Sequence, residues 1–293
     1  MTKLIILRGL PASGKSTKAK EIMEKSGNTF RVNKDLLRKM LHCNVFTGKN
    51  EGITQDVSKN IVRGLLTSGK NVIVDDTNLN PRVMDSWKEL AKELNVKFEI
   101  VEMDTDVHTC VIRDMDRTDS VGSHVIKGMA LQYGFHIPED DSTIICDLDG
   151  TLCDITHRLH YVKNINEDPN FKKDWKGFFN GIANDKVRPE IRARLIEKYN
   201  KGKNIIYVSA RPETYRKETE AWLAKHNLTF AWTLIMRGSK DGRPDTEVKR
   251  DILNKYFPNK KAISLVIDDR PSVIRMWKEE GLEVWDVGNG KEF

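Results

Sequence analysis

Two short runs of residues have the residue types and spacing to bind or accept phosphoryl groups. The first is Gly9-Leu-Pro-Ala-Ser-Gly14-Lys15-Ser16-Thr17, with Gly-x4-Gly-Lys-Ser spacing. Backbone N–H groups and a lysine in such a loop can surround a chain of phosphates. The second is Asp147-Leu-Asp149-Gly150-Thr151, where two carboxylates end an apolar run. A carboxylate at that place can attack phosphorus. The pair predicts phosphate addition by one half of the chain and phosphate removal by the other.

The first run lies after an apolar strand pattern and before a helical pattern, as a phosphate loop requires. The nucleotide is expected to be ATP, with Lys15 at its β- and γ-phosphates and Ser16 on Mg²⁺. The residues predicted to bind the nucleotide from this run are Gly9, Ser13, Gly14, Lys15, Ser16 and Thr17.

The acceptor side is less specific in the sequence. Asp35 and Arg38 are three residues apart and would share a helix face, as a base and a phosphate-binding cation. A capping Asp followed by a solvated Arg explains the same pair. Asp76 follows a strand and could orient Mg²⁺ or the acceptor, or merely end the strand. Arg113 and Arg117, four apart on a predicted helix, could neutralise transition-state charge or form a solvated basic face.

The second run needs partners, which follow in order. Asp147 is the predicted nucleophile, and Asp149 is the predicted acid and then base. Ser209 ends a later strand and could bind phosphate, and Lys249 could neutralise it. Asp268 and Asp269 end another strand and could hold Mg²⁺ with Asp147 and the Asp149 carbonyl.

Elements that would position these residues alternate between strand and helix, which predicts two α/β domains with largely parallel sheets. Residues 1–138 would form the first domain, with a phosphate-loop kinase sheet, and 142–293 the second, with a small cap at about 154–187. A Pro and acidic residues in 136–142 suggest the linker. Strands are predicted at 3–8, 71–75, 97–103, 143–147, 204–209, 229–236, 262–268 and 282–287. Helices are predicted at 15–25, 35–42, 55–68, 82–94, 106–115, 121–133, 213–226, 246–256 and 272–280.

Composition agrees with a globular enzyme of two domains. The 293 residues are 39% hydrophobic and 31% charged, with a net charge of +6 that favours polyanionic partners or simply a basic enzyme. The four cysteines lack metal-ligand spacing, which predicts free thiols in the cytoplasm. No apolar run reaches membrane-spanning length, so no membrane partner is expected.

The ordered runs GLPASGKST, VNKDLLRKM, VIVDDTNLNP and IRDMDR resemble the kinase half of the bacteriophage polynucleotide 5′-kinase/3′-phosphatase family. That resemblance implies that Asp35 activates a 5′-hydroxyl and Arg38 contacts the acceptor's 3′-phosphate. It places Asp76 on the substrate side. It assigns Arg113 and Arg117 to a basic lid over the nucleotide, with Arg117 the stronger candidate.

The run from Asp147 resembles the haloacid dehalogenase-like phosphohydrolases, a Rossmann-like fold. The phage family's pattern implies substrate contacts for Arg158, Arg211 and Asp245, beside Ser209 and Lys249. Two departures stand out: Ala210 replaces a usual glycine, and the insert at 157–185 is only weakly similar. Its Trp175, Phe178 and Phe179 could stack a terminal base, but packing within the insert is favoured.

Together these features predict an enzyme that phosphorylates 5′-hydroxyl ends and hydrolyses 3′-phosphate ends of DNA or RNA. A ligase would join the products, and the resemblance also implies a homo-oligomer, in the host cytoplasm if the chain is viral. The closest alternative is a small-metabolite kinase fused to a small-molecule phosphatase, since both folds host many substrates. A nucleotide-gated protein that binds nucleic-acid ends is a third interpretation, which the intact Lys15, Asp35 and Asp147 disfavour.

Overall fold

A computed structural model of the chain describes residues 2–165, 167 and 169–291. The chain divides into two compact units, Met1–Phe135 and His136–Phe293. The predicted domain limits, 1–138 and 142–293, stay predictions, and residues 166 and 168 of the predicted cap lie outside the described residues. Within the described part, no helix combines the length and apolar character needed to cross a bilayer.

The first unit is built on a four-stranded parallel sheet in the order β2-β3-β1-β4. Its strands are β1 (Lys3–Arg8), β2 (Thr29–Val32), β3 (Asn71–Asp75) and β4 (Lys97–Glu102). The central β1 and β3 are apolar and buried along most of their length, as strands covered on both faces must be. Because the strands are parallel, the carboxyl ends of β1 and β3 lie side by side, with Leu7 opposite Asp75.

The described part of this unit has six helices, of which the first four connect the strands and the last two follow β4. They are α1 (Lys15–Lys25), α2 (Lys34–His42), α3 (Gly48–Thr67), α4 (Pro81–Glu93), α5 (Val107–Met115) and α6 (Ser123–Gln132). Val62 and Leu66 of α3 and Trp87 of α4 pack into one core with β1 and β3. In contrast, α2 has no buried residue, so its side chains are available at the surface.

The second unit contains a five-stranded parallel sheet in the order β11-β10-β5-β8-β9. In chain order the strands are β5 (Thr143–Cys146), β6 (Cys153–Asp154), β7 (Lys186–Val187), β8 (Asn204–Pro212), β9 (Thr233–Arg237), β10 (Ile263–Asp268) and β11 (Val284–Asp286). The short β6 and β7 form a separate antiparallel pair. The central β5 has β10 and β8 as neighbours, so the residues after all three strands converge at one edge.

Helices of the second unit are α7 (Trp175–Asn180), α8 (Pro189–Asn200), α9 (Arg216–Lys225), α10 (Asp245–Tyr256) and α11 (Pro271–Glu279). The segment between β6 and β7 holds a 3₁₀ helix (Thr156–Tyr161), α7 and a second 3₁₀ turn (Ile182–Asn184). Phe178, Phe179 and Ile182 of this segment are buried in the main core.

The predicted α/β class is confirmed, but several elements differ. The short β2 and the helix α8 were missed, and α3 begins at Gly48 instead of residue 55, because Thr47 caps it and accepts from Asn50 N. The prediction that Arg113 and Arg117 share a helix is wrong, since α5 ends at Met115. Buried Asp114 accepts from Ser120 Oγ and from two backbone N–H groups after it. The chain turns around that carboxylate, so Arg117 lies in a loop.

Candidate active sites

The predicted phosphate loop connects β1 to α1. Gly14 has φ 96°, which an L side chain adopts at a cost, and it directly precedes the helix. A Cβ on Gly9 would stand 2.7 Å from Met103 Cβ and 2.9 Å from Ser13 Oγ, so only glycine lets these groups approach. Ser13 is buried and its carbonyl accepts from Thr105 Oγ1. The loop therefore packs against Met103 at Gly9 and is hydrogen-bonded to Thr105 at Ser13.

Lys15 points its ammonium group into the loop. Nζ donates to the carbonyls of Gly9 (3.0 Å) and Leu10 (2.5 Å) and lies 3.4 Å from Ser13 Oγ. Burial lowers the pKa of Lys15 to about 8, while the nearby Asp75 acts in the opposite direction. The ammonium group is thus charged at neutral pH but easily deprotonated above it.

The acceptor-side candidates lie on α2. Asn33 caps this helix, accepting from Leu36 N at 2.9 Å. Arg38 Nη1 donates to Asp35 Oδ1 at 2.5 Å, so the predicted pair does share a face. The other side of the Arg38 guanidinium binds Glu51 of α3, at 3.0 and 3.2 Å. Glu51 was not predicted, because its contact depends on how α3 packs against α2.

Two carboxylates stand at the end of β3, and they differ in partners. Asp75 is buried and accepts from Arg31 Nε at 2.7 Å, while Arg31 Nη2 lies 3.3 Å from Ser16 Oγ. Asp76 accepts from Lys34 N at 2.9 Å. Burial raises the pKa of Asp76 to about 6, against the opposing effect of Lys34. One oxygen of each, Asp75 Oδ1 and Asp76 Oδ2, is buried with no hydrogen-bond partner.

These groups surround one cavity of about 910 Å³. Of the predicted kinase residues, its lining includes Ser13, Gly14, Lys15, Ser16, Thr17, Asp35, Arg38, Asp76, Arg113 and Arg117. Gly9 lies beneath the lining. Arg113 Nη1 is 3.9 Å from the place of a Cβ on Gly14, and Arg117 pairs with Asp119 at 2.8 Å. Asp75 and Arg31 were not predicted as site residues from the sequence. The Asp75-Asp76 pair at the end of β3 was the signal that could have identified Asp75.

In the second unit, Lys249 lies between two carboxylates. Its Nζ is 3.1 Å from Asp147 Oδ1 and 2.8 Å from Asp268 Oδ2, and all three residues are buried. Burial raises the pKa of Asp147 well above its usual range, and Lys249 only partly opposes this. For Lys249, burial lowers the pKa, but Asp147 and Asp268 outweigh burial and raise it. Trp277 Nε1 also donates to Asp268, at 3.0 Å.

Oxygens of Asp147, Asp268 and Asp269 lie within 4.8 Å of one another. Gly150, at φ 84°, comes so close that a Cβ there would stand 2.1 Å from Asp269 Oδ2. Burial, followed by the charge of Asp268, raises the pKa of Asp269 to about 6. Three converging carboxylate oxygens with a single lysine fit a divalent cation, because hard oxygen ligands suit such an ion and it would relieve their repulsion.

Asp149 turns to two arginines instead of the cluster. Arg211 Nε donates to Asp149 Oδ2 at 3.0 Å, and Arg158 Nη2 contacts Asp149 Oδ1. Burial raises the pKa of Asp149, but these guanidinium groups outweigh burial and lower it below its usual range. Both arginines also bind Asp185, which is fully buried and accepts from Arg158 Nε at 2.7 Å and Arg211 Nη2 at 3.0 Å.

A second cavity, of about 610 Å³, is lined by Asp147, Asp149, Asp245 and Lys249. Asp245 is held by Arg237 and Arg270, which line the same cavity. Ser209 is buried and its Oγ accepts from Arg211 N at 3.2 Å. Ser209, Arg158 and Arg211 are buried and do not line this cavity, so the structure does not bring these three predicted substrate contacts to the cavity wall. Asp185, Arg237 and Arg270 were missed in the sequence.

The insert's aromatic residues have two environments. Phe178 and Phe179 are 2% and 8% exposed, and Arg158 Cζ lies 4.1 Å from the Phe178 ring centre. Trp175 is 44% exposed, and its ring meets both phenylalanines at centroid distances of about 6 Å. Phe178 therefore covers Arg158 beside Asp149, and Trp175, Phe178 and Phe179 all line the cavity.

Comparison with known families gives a match for each unit. Residues 141–292 match the family model described as the polynucleotide kinase PNKP phosphatase domain, and residues 4–135 match an AAA domain model. The first match covers just over half of the chain, and the chain therefore belongs to the PNKP phosphatase-domain family. The resemblance predicted from the sequence is confirmed.

Two relatives and one solved structure illustrate the similarity. The chain is 28% identical, over 94% of its length, to a protein of Autographa californica nuclear polyhedrosis virus assigned as a bifunctional polynucleotide kinase/RNA ligase. It spans 41% of that protein. It is 27% identical to the L-seryl-tRNA(Sec) kinase of Methanococcus maripaludis, over 58% of this chain and 68% of that one. A chain of the Pnkp1/Rnl/Hen1 complex is 27% identical at a TM-score of 0.43, covering 99% and 98% of the two chains.

Proposed function

We propose that the chain heals nucleic-acid ends: the first unit phosphorylates a 5′-hydroxyl from ATP, and the second hydrolyses a 3′-phosphate. The main support is that the predicted catalytic residues line the two cavities. Asp35 and Arg38 line the cavity of Lys15, and Lys249 joins Asp147 to Asp268. The family model of the second unit supports the polynucleotide class over a small metabolite.

In the kinase unit, the loop N–H groups and Lys15 would bind the ATP phosphates, with Ser16 toward Mg²⁺. Asp35 would take the proton of the 5′-hydroxyl. The oxygen of that hydroxyl would attack the γ-phosphorus as the bond between the γ-phosphorus and ADP breaks. Arg38 would hold the acceptor phosphate, exchanging part of its contact with Asp35 or Glu51. Arg113 and Arg117 would neutralise charge on the transferring group. Asp75, which shares Arg31 as a partner with Ser16, is our additional candidate for orienting a water on the metal.

In the phosphatase unit, Asp147 would attack the 3′-phosphate, forming an aspartyl-phosphate as the bond to the 3′-oxygen breaks. The leaving oxygen would take a proton from Asp149. Asp149 would then take a proton from the water that splits the intermediate and frees Asp147. Its contacts with Arg158 and Arg211 favour the ionised form, which the second step needs. Those contacts disfavour the protonated form that the first step needs.

Asp147, Asp268 and Asp269 would hold Mg²⁺, together with the Asp149 carbonyl. When bound, the ion would supply positive charge that reduces repulsion between the carboxylates and the phosphate. Lys249 would add to this charge. Ser209 would contact phosphate oxygens, and Asp245 would orient the cavity-lining Arg237 and Arg270 toward the nucleic-acid strand.

Two assays test the proposal. The protein receives labelled ATP with a 5′-hydroxyl oligonucleotide, and separately a 3′-phosphorylated oligonucleotide with Mg²⁺. We expect labelled oligonucleotide in the first and released phosphate in the second. Activity only on nucleosides and sugar phosphates would instead favour the metabolite alternative, and strand binding without product would favour an end-binding protein.

The partners extend this proposal. We infer that a ligase joins the ends, because a 5′-phosphate beside a 3′-hydroxyl is the product pair. Incubating nicked 5′-hydroxyl, 3′-phosphate duplexes with this protein before a ligase should convert unsealable nicks into sealed ones. We also propose a homo-oligomer, which sedimentation would test. A cytoplasmic setting, in the host if the chain is viral, is supported by four free cysteines and would be tested by cell fractionation.

A further inference from the structure

An exposed phenylalanine stands beside the guanidinium group proposed to hold the acceptor phosphate. Among the described aromatic rings Phe46 is the most exposed, at 71%. Arg38 Cζ lies 5.8 Å from its ring centre. Burying an apolar ring of this size is favourable, so such exposure on an ordered loop requires an explanation. Neither of the two proposed reactions uses this ring.

The loop that presents Phe46, residues 43–47, is held in one conformation. Cys43 and Asn44 adopt left-handed backbone at φ 49° and 64°, a conformation that asparagine tolerates and that is costly for cysteine. Asn44 N donates to Arg38 O, and Val45 N donates to His42 O. Asn50 Nδ2 donates to Val45 O at 2.8 Å. These bonds order the backbone of the loop, which presents the ring beside Arg38.

The surroundings are suited to a strand of nucleic acid. Arg38 is held beside the loop by Glu51 and Asp35. Lys39 and Lys49, on the helices that flank the loop, are exposed. With Arg38 they give three cations against these two carboxylates, and a net positive surface with an exposed ring is the arrangement that binds single-stranded nucleic acid, by phosphate contacts and base stacking.

We propose that Phe46 stacks on a nucleobase of the acceptor strand, next to the phosphate bound by Arg38. This proposal rests on the proposed kinase function and adds a base-stacking contact to its acceptor side. Stacking needs only the π-face that every base has, so the site accepts any of the four bases.

The test measures kinase kinetics with saturating ATP and a single-stranded 5′-hydroxyl oligonucleotide. Phe46→Ala and Phe46→Leu should raise the KM for the oligonucleotide about 5-fold to 100-fold, the range that loss of one base–aromatic stack gives. Phe46→Trp should retain the wild-type KM, because it keeps a stacking ring. The kcat, the binding of a fluorescent ATP analogue and the 3′-phosphatase rate should stay the same.

Val45→Ala is the matched control, since it shortens an exposed side chain in the same loop and removes no ring. Abasic acceptors provide a second arm: removing the base at the stacked position should raise the wild-type KM by a similar factor, with no further rise in Phe46→Ala. An unchanged KM in both Phe46→Ala and Phe46→Leu would overturn the inference while leaving the kinase proposal intact. A wild-type protein that phosphorylates no oligonucleotide would instead contradict the proposed function itself.

A second copy of this chain is the competing occupant of the surface. If sedimentation shows a dimer that Phe46→Ala dissociates, and the KM for oligonucleotide is unchanged, the ring serves self-association and the stacking proposal is wrong.

Discussion

The two catalytic cavities of this chain differ in how their charges are balanced. In the phosphatase unit, Lys249 contacts two carboxylates and Asp149 contacts two guanidinium groups. In the kinase unit, Lys15 donates to backbone carbonyls. Asp75 and Asp76 pair with Arg31 and Lys34, but each keeps one buried oxygen without a hydrogen-bond partner. The lysine of the first site is therefore balanced by carboxylates, whereas the lysine of the second is held by carbonyl groups.

This difference has a consequence for how each site meets its substrate. The phosphatase site is preorganised, since Asp147, the proposed nucleophile, already contacts the buried Lys249. The kinase cavity must exchange internal contacts for nucleotide and acceptor, because Lys15 and Arg38 are engaged with groups of the protein itself. Changes in the first site should therefore act on catalytic rate, and changes in the second mostly on binding.

The strongest test of the comparison is the loss of the central residue on each side. Asp147→Asn removes the nucleophile, and phosphatase activity should fall about 10³-fold or more while kinase activity is retained. Lys15→Ala should have the reverse effect. Parallel rate assays on both oligonucleotide substrates measure this, and loss of both activities from either substitution would show that the units are not independent.

A second test concerns Asp185, which holds Arg158 and Arg211 without lining the cavity. Asp185→Asn leaves two buried guanidinium groups with less charge compensation, so phosphatase kcat should fall about 10-fold to 100-fold, as for other supporting residues. Thermal unfolding should show a destabilised second unit. Asp154→Asn, in β6 near the surface, is the control. An unchanged kcat for Asp185→Asn would mean that the arginines need no such anchor.

Two glycines allow the effect of backbone strain to be separated from the effect of a steric clash. Gly150 and Gly202 have similar left-handed backbone, at φ 84° and 82°. A methyl group at residue 150 would collide with Asp269, whereas nothing lies within 4 Å at residue 202. Both Ala variants should lose about 1–2 kcal/mol of stability. Only Gly150→Ala should also weaken Mg²⁺-dependent phosphatase activity, by about 10-fold. Equal activities would contradict a role for the Asp269 position.

The smallest expected effect is a pH dependence of the kinase cavity. The pKa of Lys15 is about 8, so the ammonium form dominates at pH 7 and falls to about one tenth at pH 9. Because phosphates bind the charged form, the Kd of an ATP analogue should rise about 10-fold over this interval. Fluorescence titration measures it. Lys15→Met should bind the ATP analogue weakly at both pH values. A wild-type Kd that does not depend on pH would contradict the lowered pKa of Lys15.

Much of the fold follows from local patterns. The strands β1, β3 and β5 are nearly continuous apolar runs, and each ends at the residues predicted to do chemistry. The short β2 and the start of α3 escaped prediction because capping and pairing decide them. In the same way, the end of α5 is decided by Asp114, which accepts hydrogen bonds from residues that follow it in the chain.

The sequence by itself determined the two phosphate-binding runs, their order and the α/β architecture, because glycine spacing and apolar periodicity are local properties. Only the tertiary structure decided which charged side chains pair with each other. It joined Asp149 to Arg211, 62 residues away, and Arg158 to Asp185, 27 residues away. It also distinguished Asp75, bound by Arg31, from Asp76, bound by Lys34. Such pairs depend on how distant strand ends and helices pack together, and no local spacing encodes that.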